Sequence, residues 1–276
     1  MSLTARSAPP RYPLGRARHA AAAAVHAEWT KFRTVAGPSW LLAGVVALSV
    51  ATGAAAASAA RCRSADCGID PATVSFTGIY PAQAVVAVAS VLAIGNEYST
   101  GMVKVSLTAM PRRLTWLAAK AAVLTALVLA ASALAVAGAA LAGRLILPGH
   151  GFTPGHGYAS LASATDLRAA VGAVMYLTLI ALLSLGVAAA VRDSAVAIGL
   201  VLGLLYVFPI VASLVSDPTV SRHLQQIGPL SAGLDVQATT GVNSLPLTPW
   251  QGLGVVVLWT AGALLLGALA LKSRDA

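Results

Sequence analysis

The sequence predicts an all-α integral membrane protein: six transmembrane helices, an N-terminal amphipathic interfacial helix, and both termini in the cytoplasm. Three observations carry this. Hydrophobic residues are 58% of the 276 and charged ones only 10%, where a soluble domain carries about 25% charge. Six apolar stretches come close to or exceed the roughly 20 residues a helix needs to cross the hydrocarbon core. The basic residues gather at the ends of those stretches, where topology signals sit. The net charge of +9 therefore reads as topology rather than as a nucleic-acid surface, and with 5% aromatics there is no basic stripe with stacking rings.

Residues 1–19 are rich in Pro and Arg and read as a disordered cytoplasmic tail. Their AAAAAV continuation is too short for a signal peptide and runs into the charged HAEWTKFRT. Residues 20–36 form a short amphipathic helix. Val25, Trp29 and Phe32 recur at helical spacing, and Glu28, Lys31 and Arg33 take the other positions. Such a helix lies in the membrane interface; the plainer alternative is a lead-in to the first span.

The membrane domain, 37–276, holds spans at about 38–60, 79–95, 114–147, 167–191, 195–215 and 250–271. With the N-terminus inside, 13 of the 18 Lys and Arg fall on the cytoplasmic side. Arg61 and Arg63, just after the first span, run against the trend. Cys62 and Cys67 then face outward, where a small disulfide is chemically possible; two free thiols are the alternative. Lys120 and Arg144, near opposite ends of the long third span, can snorkel to the two interfaces. The outer loop with His150 and His156 reads as solvated and flexible rather than metal-binding. Residues 192–194 make a tight turn between the fourth and fifth spans. Gly199 and Gly203 in the fifth span are small residues four apart, which let helices approach, and Pro209 is expected to kink that span. The outer segment 216–249 carries helical patches between Pro218 and Pro229 and is long enough to dip toward the membrane.

The chemistry is sparse. There is no G-x-x-x-x-G-K-[ST], no H-E-x-x-H and no G-x-S-x-G, so neither an ATP site nor a hydrolase is legible. The expectation is a protein that is not an enzyme and holds no cofactor or metal. Span interiors lack the ionisable residues that ion-coupled carriers use. What stands out is residues 96–120, the main polar interruption. Glu97 and Tyr98 close the second span. Thr100 is placed to cap a new helix from Gly101. Met102, Val103, Val105, Leu107 and Met110 make that helix partly apolar, Lys104 marks its polar side, and Pro111 stops it, so the loop of interest is 97–110. A helix this apolar in a loop needs something to bury against, either the bilayer interface or a protein.

GNEYSTGMVKVSLTAMPRRLTWLAAK resembles the loop of type-2 ABC exporter permeases, with E-Y-x-x-G, a basic strip and a P-R-R entry to the next span. AEWTKFRT is similar to their lead-in to the first span, and the C-terminal stretch ending KSRDA to their last span. The resemblance covers nearly the whole chain, with one departure at Met102, where threonine is common. The Ala-rich composition resembles that of an actinobacterial membrane protein. The resemblance implies a bacterial plasma-membrane permease without its own ATPase site. Residues 20–36 would be the elbow helix, and the loop with Glu97, Tyr98, Thr100, Gly101, Met102, Lys104 and Leu107 would dock on a separate ABC ATPase that binds ATP and Mg. It also implies a second permease copy, like or unlike, and places Gly199 and Gly203 near that interface. The pathway would suit lipid-like or amphipathic cargo. The competing readings are an ATPase-independent immunity or scaffold protein and an ion-coupled carrier.

Overall fold

The computed structural model describes residues 14–34, 36–62, 68–109, 113–152 and 163–273. Twelve α-helices are found among them. They are α1 (Leu14–Thr34), α2 (Ala36–Ala59), α3 (Pro71–Phe76), α4 (Ile79–Ser99), α5 (Met102–Ala109), α6 (Arg113–Ile146), α7 (Ala164–Val191), α8 (Ser194–Leu202), α9 (Phe208–Leu214), α10 (Pro218–Ile227), α11 (Pro229–Leu234) and α12 (Pro249–Ser273). Six stretches are long and apolar enough to span a membrane: Gly37–Ala59, Pro71–Ser99, Arg113–His150, Ala164–Val191, Ser194–Leu214 and Pro249–Ser273. The expected six-span, all-helical class is what is observed. In hydrocarbon a helix satisfies its own backbone, which is why this composition folds this way.

The spans run alternately up and down, and cross-chain contacts fix the two ends of the bundle. At one end, called here the α5 end, Gly95 packs on Ser194, and Arg113 and Arg192 reach the last turn of α12. At the other, the α10 end, the Cys62 amide bonds the His150 carbonyl at 3.0 Å, and Asp70 meets Thr239. Helices α4 and α7 are central, with 61% of each span buried, against 22% for the first and fifth spans.

Close packing comes from small residues. A Cβ on Gly186 of α7 would strike the α12 backbone at Ala263–Leu264, and one on Gly267 would strike the Gly186 carbonyl. Without side chains at these points, α7 and α12 touch backbone to backbone. Gly199 and Gly203 play no such part, since among the described residues nothing lies within 4 Å of a Cβ at either.

The fifth span is interrupted by a π-helical turn, Gly203–Val207. Pro209 has no amide proton and its ring crowds the preceding turn. The Phe208 amide bonds Gly203 O, one residue further back than in an α-helix. After it, α10 and α11 each open on proline, with Asp217 capping α10. Helix α11 is inserted into the bundle: Gly233 abuts the Tyr176 ring of α7, and Gly252 of α12 abuts the Ala232 carbonyl. Trp259 Nε1 donates to Ile227 O at 2.9 Å.

One reading of the N-terminal end needs adjustment. Helix α1 begins at Leu14, inside the stretch taken as a tail. On it Ala24 and Glu28 are buried, while Val25 and Trp29 are exposed.

Candidate functional site

A charged cluster ties three helices together at the α5 end. Glu28 and Lys31 come from α1, Glu97 from α4, and Lys120 from α6. Lys120 Nζ lies 2.7 Å from Glu28 Oε2 and 2.8 Å from Glu97 Oε1. Lys31 Nζ lies 2.8 Å from Glu28 Oε1 and 3.0 Å from Glu97 Oε1. Glu28 and Lys120 are at most 1% exposed. Lys120 also donates to the Ala93 carbonyl at 3.1 Å, so all three of its donors are used. The indole of Trp116, one turn earlier on α6, lies under the ammonium, 5.4 Å from ring centroid to Nζ.

Two carboxylates and two ammoniums balance. Burial alone would raise the Glu28 carboxyl, but the charge and bonds of Lys120, helped by Lys31, hold it below its ordinary value. For Lys31, burial works downward, and the bonds to Glu28 and Glu97 outweigh it, leaving the ammonium above its ordinary value. A buried network of this kind is weak evidence for stability, because desolvation consumes most of the attraction. What it does supply is fixed geometry, since any relative shift of α1, α4 or α6 strands a buried charge.

A second set of contacts closes the same end. Arg113, the first residue of α6, donates to Leu271 O at 2.7 Å. Arg192, at the α7 terminus, donates to Ala270 O at 2.9 Å and stacks over Tyr98, 5.8 Å from its ring centroid. Both guanidiniums meet the negative, carbonyl-bearing end of α12. Arg192 holds a left-handed backbone with φ of 64° to do so.

Helix α5 is slung between these two locks. Its N-terminal side follows Glu97, and its C-terminal side leads to Arg113. Gly101 makes the turn into it at φ 71°, which side-chain-bearing residues rarely adopt. Val103 is buried against the bundle, while Met102 is 50% and Val105 68% exposed. Thr100 does not cap α5. It is the C-cap of α4, and its hydroxyl donates back to Asn96 O at 2.7 Å. The α5 backbone is described at Lys104 and Leu107, but their side chains lie outside the described residues.

Of the other expected residues, Phe32 is partly buried on the core, Trp29 is 46% exposed and Arg33 is exposed. Lys120 does not snorkel; it is drawn inward by Glu28 and Glu97. Cys62 is disulfide-bonded, and Cys67 lies outside the described residues. His150 Nδ1 sits 3.0 Å from Ile146 O; His156 lies outside the described residues. Among the described residues no three His, Cys, Asp or Glu are grouped to hold a metal.

Sequence reasoning missed the partnership of Glu28 with Lys120, 92 positions apart. The available signal was Lys120 itself, a cation seven residues into an apolar span, which needs a partner inside the bundle. It also missed Asp70 at the α10 end. That carboxylate caps α3 and accepts from Thr239 N at 2.5 Å, Thr239 Oγ1 at 2.6 Å and Thr240 N at 3.0 Å. Midway between the ends, Tyr176 donates to the buried Gln83, and Tyr206 of the π-turn donates to Tyr80 O at 2.6 Å. An apolar groove of about 750 Å³ runs between α7, α8 and α12.

No protein-family model and no curated protein matches the sequence.

Proposed function

We propose that the chain is the membrane-spanning permease subunit of an ATP-driven exporter of the type-2 ABC class, working with a second permease copy. ATP and Mg would be bound by a separate ATPase that seats on α5, in the cytoplasm of a bacterium. The observation that carries this reading is the mounting of α5. It presents exposed apolar side chains, Met102 and Val105, yet its two flanks are wired by ion pairs and Arg–carbonyl bonds into α1, α6 and α12. A displaced α5 therefore moves spans rather than flexing alone. ATP binding in the partner would favour one state of the permease pair through its differential contact with α5. The few charges among the spans suit an amphipathic or lipid-like cargo.

The test is copurification of the tagged chain with an ATPase subunit, followed by ATP hydrolysis and transport in lipid. Gly101→Pro and Glu97→Ala are expected to retain partner ATPase activity while uncoupling it from transport. Full coupling in both variants would sink the assignment, as would a chain that never captures an ATPase. An ion-coupled carrier remains the second reading, because Glu97 and Lys120 do lie within spans. It predicts transport that collapses with the ion gradient and ignores ATP depletion. The network speaks against it: Lys120 spends every donor inside the protein.

A further inference from the structure

The geometry points to a binding site for one anionic phospholipid on the outer side of α1, in the cleft where α1 crosses α2 and α6. The cleft has a volume of about 180 Å³ and is walled by Trp29, Phe32, Arg33, Ser39, Leu42 and Leu127. This site is independent of any ATPase partner.

Helical spacing divides α1 into two working faces. Ala24, Glu28 and Lys31 lie four and three apart and face the bundle, and both charged members are spent on the network. Val25, Trp29 and Arg33 lie four apart and face away. Lys31 is paired, whereas Arg33 has no ion pair or hydrogen bond among the described residues. Its guanidinium is thus the unspent charge among the cleft's walls, and Ser39, also exposed and also lining the cleft, adds a hydroxyl donor. A guanidinium and a hydroxyl lining one cleft match a phosphate diester.

The remaining walls match an acyl chain. Phe32, Leu42 and Leu127 are apolar. Leu127 lies seven residues along α6 from Lys120, about 10 Å deeper into the bundle at 1.5 Å per residue. Depth is marked independently by the tryptophans. Trp29 is 46% and Trp40 77% exposed, and tryptophan collects at the headgroup level. The cleft therefore starts at headgroup depth and descends into the hydrocarbon, with cationic charge at the shallow end. Bound there, the lipid presses α1 onto the bundle from outside while the Glu28–Lys120 pair holds it from inside.

The experiment is native mass spectrometry of the purified full chain, released from nanodiscs of equimolar phosphatidylglycerol and phosphatidylcholine. One phosphatidylglycerol is expected to be retained in preference. Arg33→Gln should cut that preference about fivefold, the worth of one basic residue at a membrane surface, and Arg33→Lys should keep most of it. Leu127→Trp, which fills the deep end without touching the charge, should expel the lipid. Arg222→Gln, at the opposite end of the bundle, should change nothing. Equal retention of the two lipids, or an unaltered preference in Arg33→Gln, would overturn the site. Displacement of the bound lipid by millimolar soluble glycerol phosphate would overturn it too, by showing a phosphate site that needs no chain.

Discussion

Lys120 shows what an ionisable residue inside an apolar bundle must do. Left alone it would be very costly; with Glu28, Glu97 and the Ala93 carbonyl it is satisfied. Removing one member is therefore far worse than removing the set. Lys120→Met should cost about 3 kcal/mol or more, because Glu28 stays buried with only Lys31 to cover it. Adding Glu28→Gln to that variant should recover part of the loss. Unfolding by detergent titration measures both, and strictly additive effects would show that the residues do not act as a unit. At the α10 end two carboxylates titrate in opposite senses. Burial raises Asp235 to about 6, whereas Asp70, although also partly desolvated, is held low by its bonds from Thr239, Thr240 and Ala72. For Asp235 the protonated form is favoured by folding. Its contribution is present below its ordinary value and lost as pH rises through about 6. Asp70 contributes above its ordinary value and loses its part only as pH falls below it. Between pH 5 and 7.5 only the Asp235 contribution changes between these two, so the melting temperature should fall across that range, and fall less in Asp235→Asn. An equal slope in both proteins would remove Asp235 as the cause.

At the scale of elements, the close approach of α7 and α12 and the open face of the fifth span make opposite predictions for the same substitution. Gly186→Val thrusts a side chain into the Ala263–Leu264 backbone, which has no side chain to rotate away. A loss of about 1–3 kcal/mol is expected from such overpacking. Gly199→Val enters open space and should leave the single chain's stability nearly unchanged, while weakening self-association if a second copy seats on that face. Thermal stability and crosslinking yield in lipid separate the two effects. The six spans were legible in the sequence because length and hydropathy alone decide whether a helix can cross a bilayer. Helix α3, six residues long, was not, and neither was the docking of α11, whose fit depends on Gly233 and Gly252 meeting partners far away in sequence. On α1 the spacing grouped Val25, Trp29 and Phe32, yet Val25 and Trp29 are exposed while Phe32 is partly buried, and the burial of Glu28 depends on Lys120, far away in sequence. Beside lipid, the apolar residues can face outward and the charges find each other within.

For the whole molecule, the two ends are built from different chemistry, and this bears on orientation. The α5 end holds the four-charge network and the two arginines on the last turn of α12. The α10 end is closed by hydrogen bonds to Asp70, by Arg168 donating to Ala238 O at 2.5 Å, and by the disulfide-bonded Cys62. An end rich in Lys and Arg is retained in the cytoplasm during insertion, and a disulfide persists where thiols are not kept reduced. On these two arguments we propose that the α5 end lies inside and the α10 end outside. With both native cysteines changed to serine, Val105→Cys and Arg222→Cys each offer one exposed thiol at opposite ends. A membrane-impermeant maleimide applied to intact cells should label the thiol at 222 and reach the one at 105 only after permeabilisation. The reverse pattern would invert the topology and leave α5 facing away from any cytoplasmic ATPase. Labelling of both thiols in intact cells would mean that the two ends do not lie on opposite sides of a membrane.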